Sequence, residues 1–266
     1  MAGVVLVGAG RMGWAMARGW LADPGSAGLS RLDVVEPQPS EEITRTAGEG
    51  RIRLNPHPAP ADILVLAVKP QAFAALAPGL GACIGRSTLV LSVMAGTPMS
   101  RLEAATGASA IVRAMPNTPG AVGRGVTGYS LSEGVSPSQA ELAVRLLAPL
   151  GRIVGPLRED MIDAVTAISG SGPAYVFYMV ECLTRAGVGL GLEEADAALL
   201  ARCTVTGAAA LLEQGDDPSE LRRAVTSPNG TTAAALSILM GEGGLERLMR
   251  ETAEAARRRA GELAAS

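Results

Sequence analysis

Residues 1–156 alternate short, continuously apolar segments with segments of helical periodicity, and this alternation constrains the fold more than any other feature. The apolar segments are rich in valine, isoleucine and leucine and lie at 3–8, 31–36, 62–68, 87–93 and 109–115. Continuous runs of this kind are typical of strands covered on both faces, as in a parallel sheet. Helical segments lie between them, at 11–22, 70–78 and 98–105. The alternation predicts a doubly wound α/β domain. Later strands are expected at 126–131 and 151–155, with a helix at 137–148 between them.

The pattern changes near residue 157, and the later segments are all helical in character. Alanine and leucine recur at i, i+3 and i+4 spacing on more than one face of the two longest segments. We therefore expect a dinucleotide-binding domain at 1–156 and an all-α domain at 157–266. A helical domain with so much apolar surface is expected to bury it against a second copy of itself.

The composition excludes several other classes of protein. A formal net charge of −3 argues against a nucleic-acid binder, which usually has a basic patch. The three cysteines, Cys83, Cys182 and Cys203, are far apart and have no CxxC spacing, so we expect buried thiols in a reducing compartment, with no disulfide framework and no zinc site. The N-terminus lacks the basic region of a signal peptide, and we expect no membrane span, which predicts a soluble, cytoplasmic protein.

The segment GAGRMG, Gly8–Gly13, follows the first predicted strand and opens the first predicted helix. In such a GxGxxG turn the first glycine permits the tight turn, and the second lets a pyrophosphate approach the backbone. The third lets the helix pack close to the strand. We expect Gly8, Gly10 and Gly13, with the first-turn residues Arg11 and Met12, to bind a dinucleotide; a plain structural turn is the alternative.

Glu36 follows the second predicted strand, where an acidic side chain accepts a hydrogen bond from the ribose 2′-hydroxyl of NAD. A carboxylate there repels the 2′-phosphate of NADP, which favours NADH over NADPH. Ser40 and Arg45 lie nearby and could accommodate a phosphate, so both cofactors stay open.

The next three strands also end in segments suited to ligand binding. Their last residues are followed by AVKP (67–70), VMAGTP (93–98) and AMPNTP (114–119), and prolines fix the shape of each loop. Open α/β sheets bind ligands at the carboxyl ends of their strands. We therefore add the following residues to the cofactor site: Ala67, Val68, Lys69, Pro70, Ala95 and Asn117.

The segment SPNGTT, Ser227–Thr232, interrupts the helical second half with four turn-forming residues. Ser227 is a good N-cap and Pro228 a good first helical residue, so a new helix is predicted to begin there. The amides of its first turn lack partners within the helix, and together with the helix dipole they suit a carboxylate. An ordinary corner between two helices would show the same four residues.

Four motifs occur in a fixed order behind the glycine loop, and together they resemble the pyrroline-5-carboxylate reductase family along essentially the whole chain. They are AVKP, VRAMPNTP (112–119), AISGSGPAYVF (167–177) and VTSPNGTTAAAL (225–236). The resemblance implies a Rossmann domain followed by a helical domain that dimerises, often within a ring of dimers. It implies that NADPH, the usual cofactor of the family, or NADH reduces the ring C=N bond of 1-pyrroline-5-carboxylate to give proline.

By the same resemblance, Ser227, Gly230, Thr231 and Thr232 bind the substrate, and Thr232 is the catalytic hydrogen-bond partner of the ring nitrogen. The family usually has glycine where this chain has Asn229, and asparagine also tolerates the left-handed conformation. The only histidine, His57, lies in a loop, which is consistent with catalysis by positioning and electrostatic stabilisation.

Three alternatives remain at this stage. A reductase of another cyclic imino acid fits the same motifs. A β-hydroxyacid dehydrogenase shares the domain plan, but it needs a lysine early in the second domain, where this chain has GPAYVFYMVE (172–181). A nucleotide-sensing binding protein would have no use for Ser227, Thr231 and Thr232 together.

Overall fold

Eight strands form a single sheet in the computed structural model, which describes residues 1–265. The strands are β1 (Ala2–Val7), β2 (Leu29–Val35), β3 (Arg53–Leu54), β4 (Ile63–Leu66), β5 (Leu89–Ser92), β6 (Ile111–Met115), β7 (Gly125–Leu131) and β8 (Gly151–Val154). Their order is β3-β2-β1-β4-β5-β6-β7-β8, and only the β6–β7 pair is antiparallel. The strand order reverses between β1 and β4, which is the point where open α/β sheets bind ligands.

Twelve helices are described along the chain. They are α1 (Arg11–Ala22), α2 (Pro24–Ala27), α3 (Glu41–Gly48), α4 (Pro70–Leu80), α5 (Met99–Thr106), α6 (Pro137–Leu147), α7 (Ile162–Val165), α8 (Gly172–Gly189), α9 (Glu194–Leu212), α10 (Pro218–Ala224), α11 (Thr231–Leu239) and α12 (Leu245–Ala265). Short 3₁₀ segments and a π-helical turn at Thr166–Gly170 connect some of them.

Helices cover both faces of the sheet, because successive strand residues point to opposite sides and both sides are apolar. Val4 and Leu6 of β1 belong to one buried cluster, which includes Trp20 of α1. Val5 and Val7 belong to a second cluster, which is formed with α4 and α5. The predicted doubly wound α/β domain followed by a helical domain is thereby confirmed.

The chain divides into two compact units. The first contains Met1–Ser171 together with the end of α12 from Ala256, and the second contains Gly172–Ala255. This division lies later than the boundary after residue 156 that the periodicity suggests, and the domain limits 1–156 and 157–266 stay a prediction.

Side-chain contacts explain why residues 157–171 group with the sheet. Two glycines of the first unit leave room for larger side chains. A Cβ on Gly128 of β7 would lie 2.8 Å from both Cγ atoms of Val165, and one on Gly170 would lie 2.7 Å from Cε of Met115. The buried guanidinium of Arg113 on β6 also pairs with carboxylates from this segment. None of these contacts follows from local periodicity.

Every described element of the second unit is a helix. α8 and α9 pack closely, since a Cβ on Gly187 would lie 3.0 Å from Cβ of Ala197. Within this unit, only Ala197 and Ala201 are buried, whereas large apolar side chains such as Phe177 and Leu199 are exposed. The unit therefore has almost no apolar core within one chain. Cys182 and Cys203 are exposed as well, so the prediction of buried thiols is wrong for these two cysteines and holds for Cys83 alone.

One described helix, α9, is long and apolar enough to cross a membrane by length and composition alone. Length and composition alone are weak evidence of a membrane span, and the expectation that the chain has none stays a prediction. The helix also carries Asp196 and Arg202, and its apolar surface lies in the unit that lacks its own core.

Candidate active site

The glycine loop joins β1 to α1 in a conformation that requires two of its three glycines. Gly8 has φ +91°, and a Cβ there would lie 2.7 Å from Cγ1 of Val68 and 2.8 Å from the carbonyl oxygen of Ala67. A Cβ on Gly13 would overlap the carbonyl oxygen of Gly8. The two glycines therefore allow α1 to begin directly against the ends of β1 and β4.

Gly10 is different, because a Cβ there would meet no described heavy atom within 4 Å. It is the N-cap of α1, and no side chain caps this helix. The first-turn amides of Arg11, Met12 and Gly13 lack partners within the helix and lie at the positive end of its twelve residues. Backbone donors in this arrangement fit a pyrophosphate.

Glu36 is fixed beside this loop by backbone hydrogen bonds. Its carboxylate accepts the N–H of Ala9 at 2.9 Å and the N–H of Gln38 at 3.1 Å. Its own peptide group is held by Asn55, whose Oδ1 accepts the Glu36 N–H at 2.8 Å and whose Nδ2 donates to the Glu36 carbonyl at 2.9 Å. The negative charge is therefore held at the tip of β2.

Two cavities flank the loop and share Gly10 and Glu36. One, of about 450 Å³, is bordered by Arg11, Arg18 and the indole of Trp14. The Nε1 of Trp14 is buried and has no hydrogen-bond partner among the described residues. The other cavity, of about 400 Å³, is mostly apolar and runs along Ala67, Val68 and Lys69 to α4. A cavity bordered by two arginines and a mostly apolar cavity, on either side of a glycine loop, fit the phosphate and base portions of a dinucleotide.

The other predicted cofactor residues lie at the same edge of the sheet. Lys69 is the N-cap of α4 and Pro70 its first residue. Ala95 lies in the turn between β5 and α5. Asn117 follows β6, and its Oδ1 accepts the N–H of Val126 at 2.9 Å, so its side chain closes the loop onto β7. The structure thus brings the whole predicted cofactor set together on the first unit.

The predicted substrate residues lie together at the start of α11 in the second unit. The helix begins at Thr231, and Gly230 is its N-cap, with no side-chain cap. The prediction that Ser227 caps the helix and Pro228 opens it is therefore wrong. Ser227 instead starts a turn in which its carbonyl accepts the N–H of Gly230 at 3.1 Å.

The turn before α11 depends on two residues with special backbones. Asn229 has φ +58°, the left-handed conformation that the sequence analysis allows for asparagine at this position. A Cβ on Gly230 would overlap Oγ of Ser227, so the serine hydroxyl lies directly over the helix start. Thr231 and Thr232 occupy the first turn, and their amides lack partners within the helix.

Three residues beside the glycine loop were missed by the sequence analysis. Arg18 follows Arg11 by seven positions, a spacing that places both on one face of α1, and this signal was available. Trp14 has no comparable signal. Asn55 has φ +48° and precedes Pro56, but its bonds to Glu36 depend on the short strand β3, which the pattern does not predict.

Comparisons with known proteins agree with this arrangement. A family model described as "Pyrroline-5-carboxylate reductase dimerisation" matches residues 159–263, and one described as "NADP oxidoreductase coenzyme F420-dependent" matches residues 3–96. The chain is 38% identical to a pyrroline-5-carboxylate reductase of Pseudomonas aeruginosa, over 98% of this chain and 96% of that relative.

Solved structures give the same result. A pyrroline-5-carboxylate reductase from Coxiella burnetii superposes with a TM-score of 0.84 and 34% identity, over 98% of both chains. The Plasmodium falciparum pyrroline carboxylate reductase with NADP bound has a TM-score of 0.80 and 26% identity, over 99% of this chain and 98% of that one. The chain therefore belongs to the pyrroline-5-carboxylate reductase family.

Proposed function

We propose that this chain reduces the ring C=N bond of 1-pyrroline-5-carboxylate to give L-proline, the last step of proline biosynthesis. The observation that carries the proposal is the identity of 38% to a pyrroline-5-carboxylate reductase over 98% of the chain. The free helix start at Thr231 and the glycine loop at Gly8–Gly13 supply the two kinds of anion site that this reaction needs.

The start of α11 binds the substrate carboxylate. The first-turn amides of Thr231 and Thr232 are free donors at the positive end of the helix. The hydroxyl of Ser227 lies over Gly230 at the same place and adds a further donor. Hydrogen bonds to a charged group contribute about 1.5–3 kcal/mol each, enough to fix the ring's orientation.

Thr232 acts on the ring nitrogen. Its side chain is half-buried in the first turn of α11, one residue beyond the carboxylate-binding amide of Thr231. A reduced nicotinamide cofactor bound at the glycine loop supplies the hydride for the imine carbon. The nitrogen carries its proton as an iminium ion, and Thr232 holds this N–H by a hydrogen bond. Catalysis then consists of positioning and electrostatic stabilisation.

The cofactor that these residues favour is NADH. Glu36 holds a carboxylate at the tip of β2, where a ribose 2′-hydroxyl donates a hydrogen bond and a 2′-phosphate is repelled. Glu41 and Glu42 add negative charge in the first turn of α3. Arg45, which the sequence analysis considers for a phosphate, lies 3.9 Å from the carboxylate of Glu49 instead. Arg11 and Arg18 balance the charge of the pyrophosphate.

The active form is a homo-oligomer built on the second unit, and a ring of dimers is its proposed larger assembly. The exposed apolar side chains of α8, α9 and α11 need a partner surface, and the matched dimerisation model covers this region. When a second copy of the chain covers this surface, α9 is an interface helix. The proposed location of the protein is the cytoplasm.

Oxidation of NADH or NADPH by the purified chain tests the function, with and without 1-pyrroline-5-carboxylate. Absorbance is expected to decay only when the imino acid is present. Replacing Thr232 by alanine leaves the ring nitrogen without its partner and should lower kcat by about 10- to 100-fold, since an unpaired buried polar group costs about 1–3 kcal/mol.

Thr106→Ala is the matched control, because the Thr106 hydroxyl bonds the Leu102 carbonyl at the far end of α5, in the first unit. This control should retain wild-type kinetics. Full turnover in Thr232→Ala removes that residue from the mechanism, and a wild-type chain that never oxidises either cofactor with the imino acid overturns the proposed function.

A further inference from the structure

The turn between β5 and α5, residues 93–98, lies at the ligand-binding edge of the sheet and contains Ala95. We call it the β5–α5 turn. Its strand, β5, pairs with β4, whose own carboxyl end borders the apolar cavity beside the glycine loop. The family model for NADP oxidoreductases ends within it, at residue 96. A loop in this place shapes the cofactor site through its backbone.

Within the β5–α5 turn, few described contacts of its own residues stabilise its conformation. Gly96 has φ +62°, a conformation in which few L-residues are stable. Pro98 is the N-cap of α5 and has no side-chain acceptor to offer the first amides of that helix. The internal side-chain bonds, from Thr97 Oγ1 to the Ala95 carbonyl and from Met94 N to Ser92 Oγ, are long, at 3.4 and 3.3 Å.

Glu159, distant in sequence, supplies the missing cap. Its Oε1 accepts the N–H of Met99, the first residue of α5, at 2.7 Å. The same oxygen lies 3.2 Å from a guanidinium nitrogen of Arg113 on β6, whose side chain is 5% exposed. A second nitrogen of Arg113 lies 3.3 Å from Asp163. A buried guanidinium between two carboxylates thus fixes the carboxylate that ends the turn.

Leu263, near the end of α12, supports the other side of the turn. A Cβ on Gly96 would lie 3.0 Å from Cβ of Leu263 and 3.5 Å from its carbonyl carbon, so the helix lies directly on the glycine. Ala260, one turn earlier, is buried. Both supports belong to the first unit, although each comes from a part of the chain beyond residue 156.

We propose that Glu159 and Leu263 are positioning residues, which hold the β5–α5 turn in the conformation that binds the nicotinamide cofactor. This inference rests on the proposed function only in taking that cofactor as the ligand. Neither residue takes part in the chemistry; Glu159 acts through the Met99 amide and Leu263 through Gly96.

The test measures the dissociation constant of NADH by the fluorescence of the bound cofactor, in the absence of imino acid. Glu159→Ala removes the acceptor of the Met99 N–H and should weaken NADH binding about tenfold, as expected for a lost hydrogen bond to a charged group. Glu159→Gln keeps an acceptor oxygen and should restore most of the affinity. Such recovery by the conservative variant distinguishes positioning of the turn from a general loss of stability.

Asp160→Ala is the matched control. Asp160 adjoins Glu159 but pairs with the exposed Arg158, and no described bond joins it to Arg113 or to the β5–α5 turn, so this variant should leave the NADH dissociation constant within about twofold of wild type. Equal weakening in Asp160→Ala and Glu159→Ala, or unchanged affinity in Glu159→Ala, overturns the proposal.

Leu263→Gly is an independent variant, because it removes the Cβ that lies over Gly96. It should weaken NADH binding about threefold. Glu262→Gly, which places the same residue one position earlier on the exposed side of α12, is its control and should leave the NADH dissociation constant unchanged. Unchanged NADH affinity in Leu263→Gly, or equal weakening in Glu262→Gly, excludes the α12 contact. A wild-type chain that binds NADH and fails to reduce the imino acid contradicts the proposed function and leaves this test intact.

Discussion

The side chain of Glu36 combines an observed structural role with the proposed role in selecting the cofactor. Its oxygens accept backbone N–H groups from Ala9 and Gln38, and its charge faces the cavity that also contains Arg11 and Arg18. Replacement by a short residue removes both the bonds and the charge. Only a neutral residue of the same shape removes the charge and still leaves an oxygen for a backbone hydrogen bond.

Glu36→Gln should therefore shift cofactor preference toward NADPH. The amide oxygen can keep one backbone bond while the charge that repels a 2′-phosphate is lost. Two like charges 4 Å apart repel by about 1 kcal/mol in water and by more in a cleft, so the ratio of kcat/KM for NADPH to that for NADH should rise about tenfold. Steady-state kinetics with both cofactors measure this ratio.

Glu42→Gln provides the comparison for that experiment, since Glu42 carries the same charge in the nearby first turn of α3. A smaller change is expected there. An unaltered ratio in Glu36→Gln would show that its carboxylate does not meet the ribose. Glu36→Ser should shift preference in the same direction, with an added loss of stability from the two broken bonds.

At the scale of the element, α11 shows how a helix start can be shaped by the turn before it. The turn closes from the Ser227 carbonyl to the Gly230 N–H, and Asn229 reverses the chain in the left-handed conformation. The helix begins only afterwards, at Thr231. The serine hydroxyl and the free amides are thereby presented together.

Gly230→Ala should disturb this arrangement without altering the helix. The N-cap has φ −80°, which alanine adopts freely, but the new Cβ would overlap Oγ of Ser227 and displace the hydroxyl. We expect KM for the imino acid to rise about fivefold to tenfold, the effect of one weakened hydrogen bond to a charged group. The dissociation constant of NADH, measured in parallel, should stay unchanged.

Gly243→Ala is a suitable comparison, since a Cβ there would meet no described heavy atom within 4 Å. Its kinetics should match those of wild type. If Gly230→Ala keeps a normal KM for the imino acid, the Ser227 hydroxyl has no part in substrate binding.

The sequence pattern predicts those strands whose own residues are apolar on both faces of the sheet. Val4–Val7 and Ile63–Leu66 are apolar on both faces, and each predicted apolar segment of the first half contains a strand. The strand β3 was not predicted, because it has two residues, and the charge of its Arg53 is balanced by Asp33 on β2. Helix α3 was missed as well, although its Ser40 cap was visible.

The candidate site likewise combines features with a local sequence signal and contacts between residues that are distant in sequence. The glycine loop and the SPNGTT segment have short-range signals, so the sequence alone is enough to predict them as sites. The pairing of Arg113 with Glu159 joins residues 46 positions apart, and no periodicity connects them. The start of α11 was placed three residues early, because the rule for serine caps and first-turn proline does not foresee that Asn229 closes a turn first.

In the whole molecule, the second unit buries too little apolar surface within one chain to be stable by itself. Its buried residues are two alanines, whereas Leu199 is 61% exposed and Ile238 77% exposed. Apolar surface of this extent marks an interface. Folding of this unit and association of the chains are therefore coupled.

A charge placed on that surface should dissociate the oligomer. Leu199→Glu is expected to shift the chain from dimer or larger to monomer in analytical ultracentrifugation, and to lower Tm by several degrees, because the charge would be buried at the interface. Imino acid reduction should fall in proportion to the oligomer lost.

Val122→Glu serves as its counterpart in the first unit, since Val122 is 76% exposed. That variant should keep the wild-type sedimentation and Tm. A wild-type chain that sediments as a monomer, or a Leu199→Glu variant that stays associated, would contradict the assignment of the helical surface to self-association.

The division of α12 between the two units has a consequence for biosynthesis. Gly96 leaves the ribosome early, but Leu263, which covers it, emerges only after the entire helical region has been translated. The strands of the nucleotide-binding half can therefore form as they are made, but the contact on its last loop forms only after Leu263 has been made. If that contact holds the loop for the coenzyme as proposed, a nascent chain gains its affinity late, after the segment proposed to bind the imino acid.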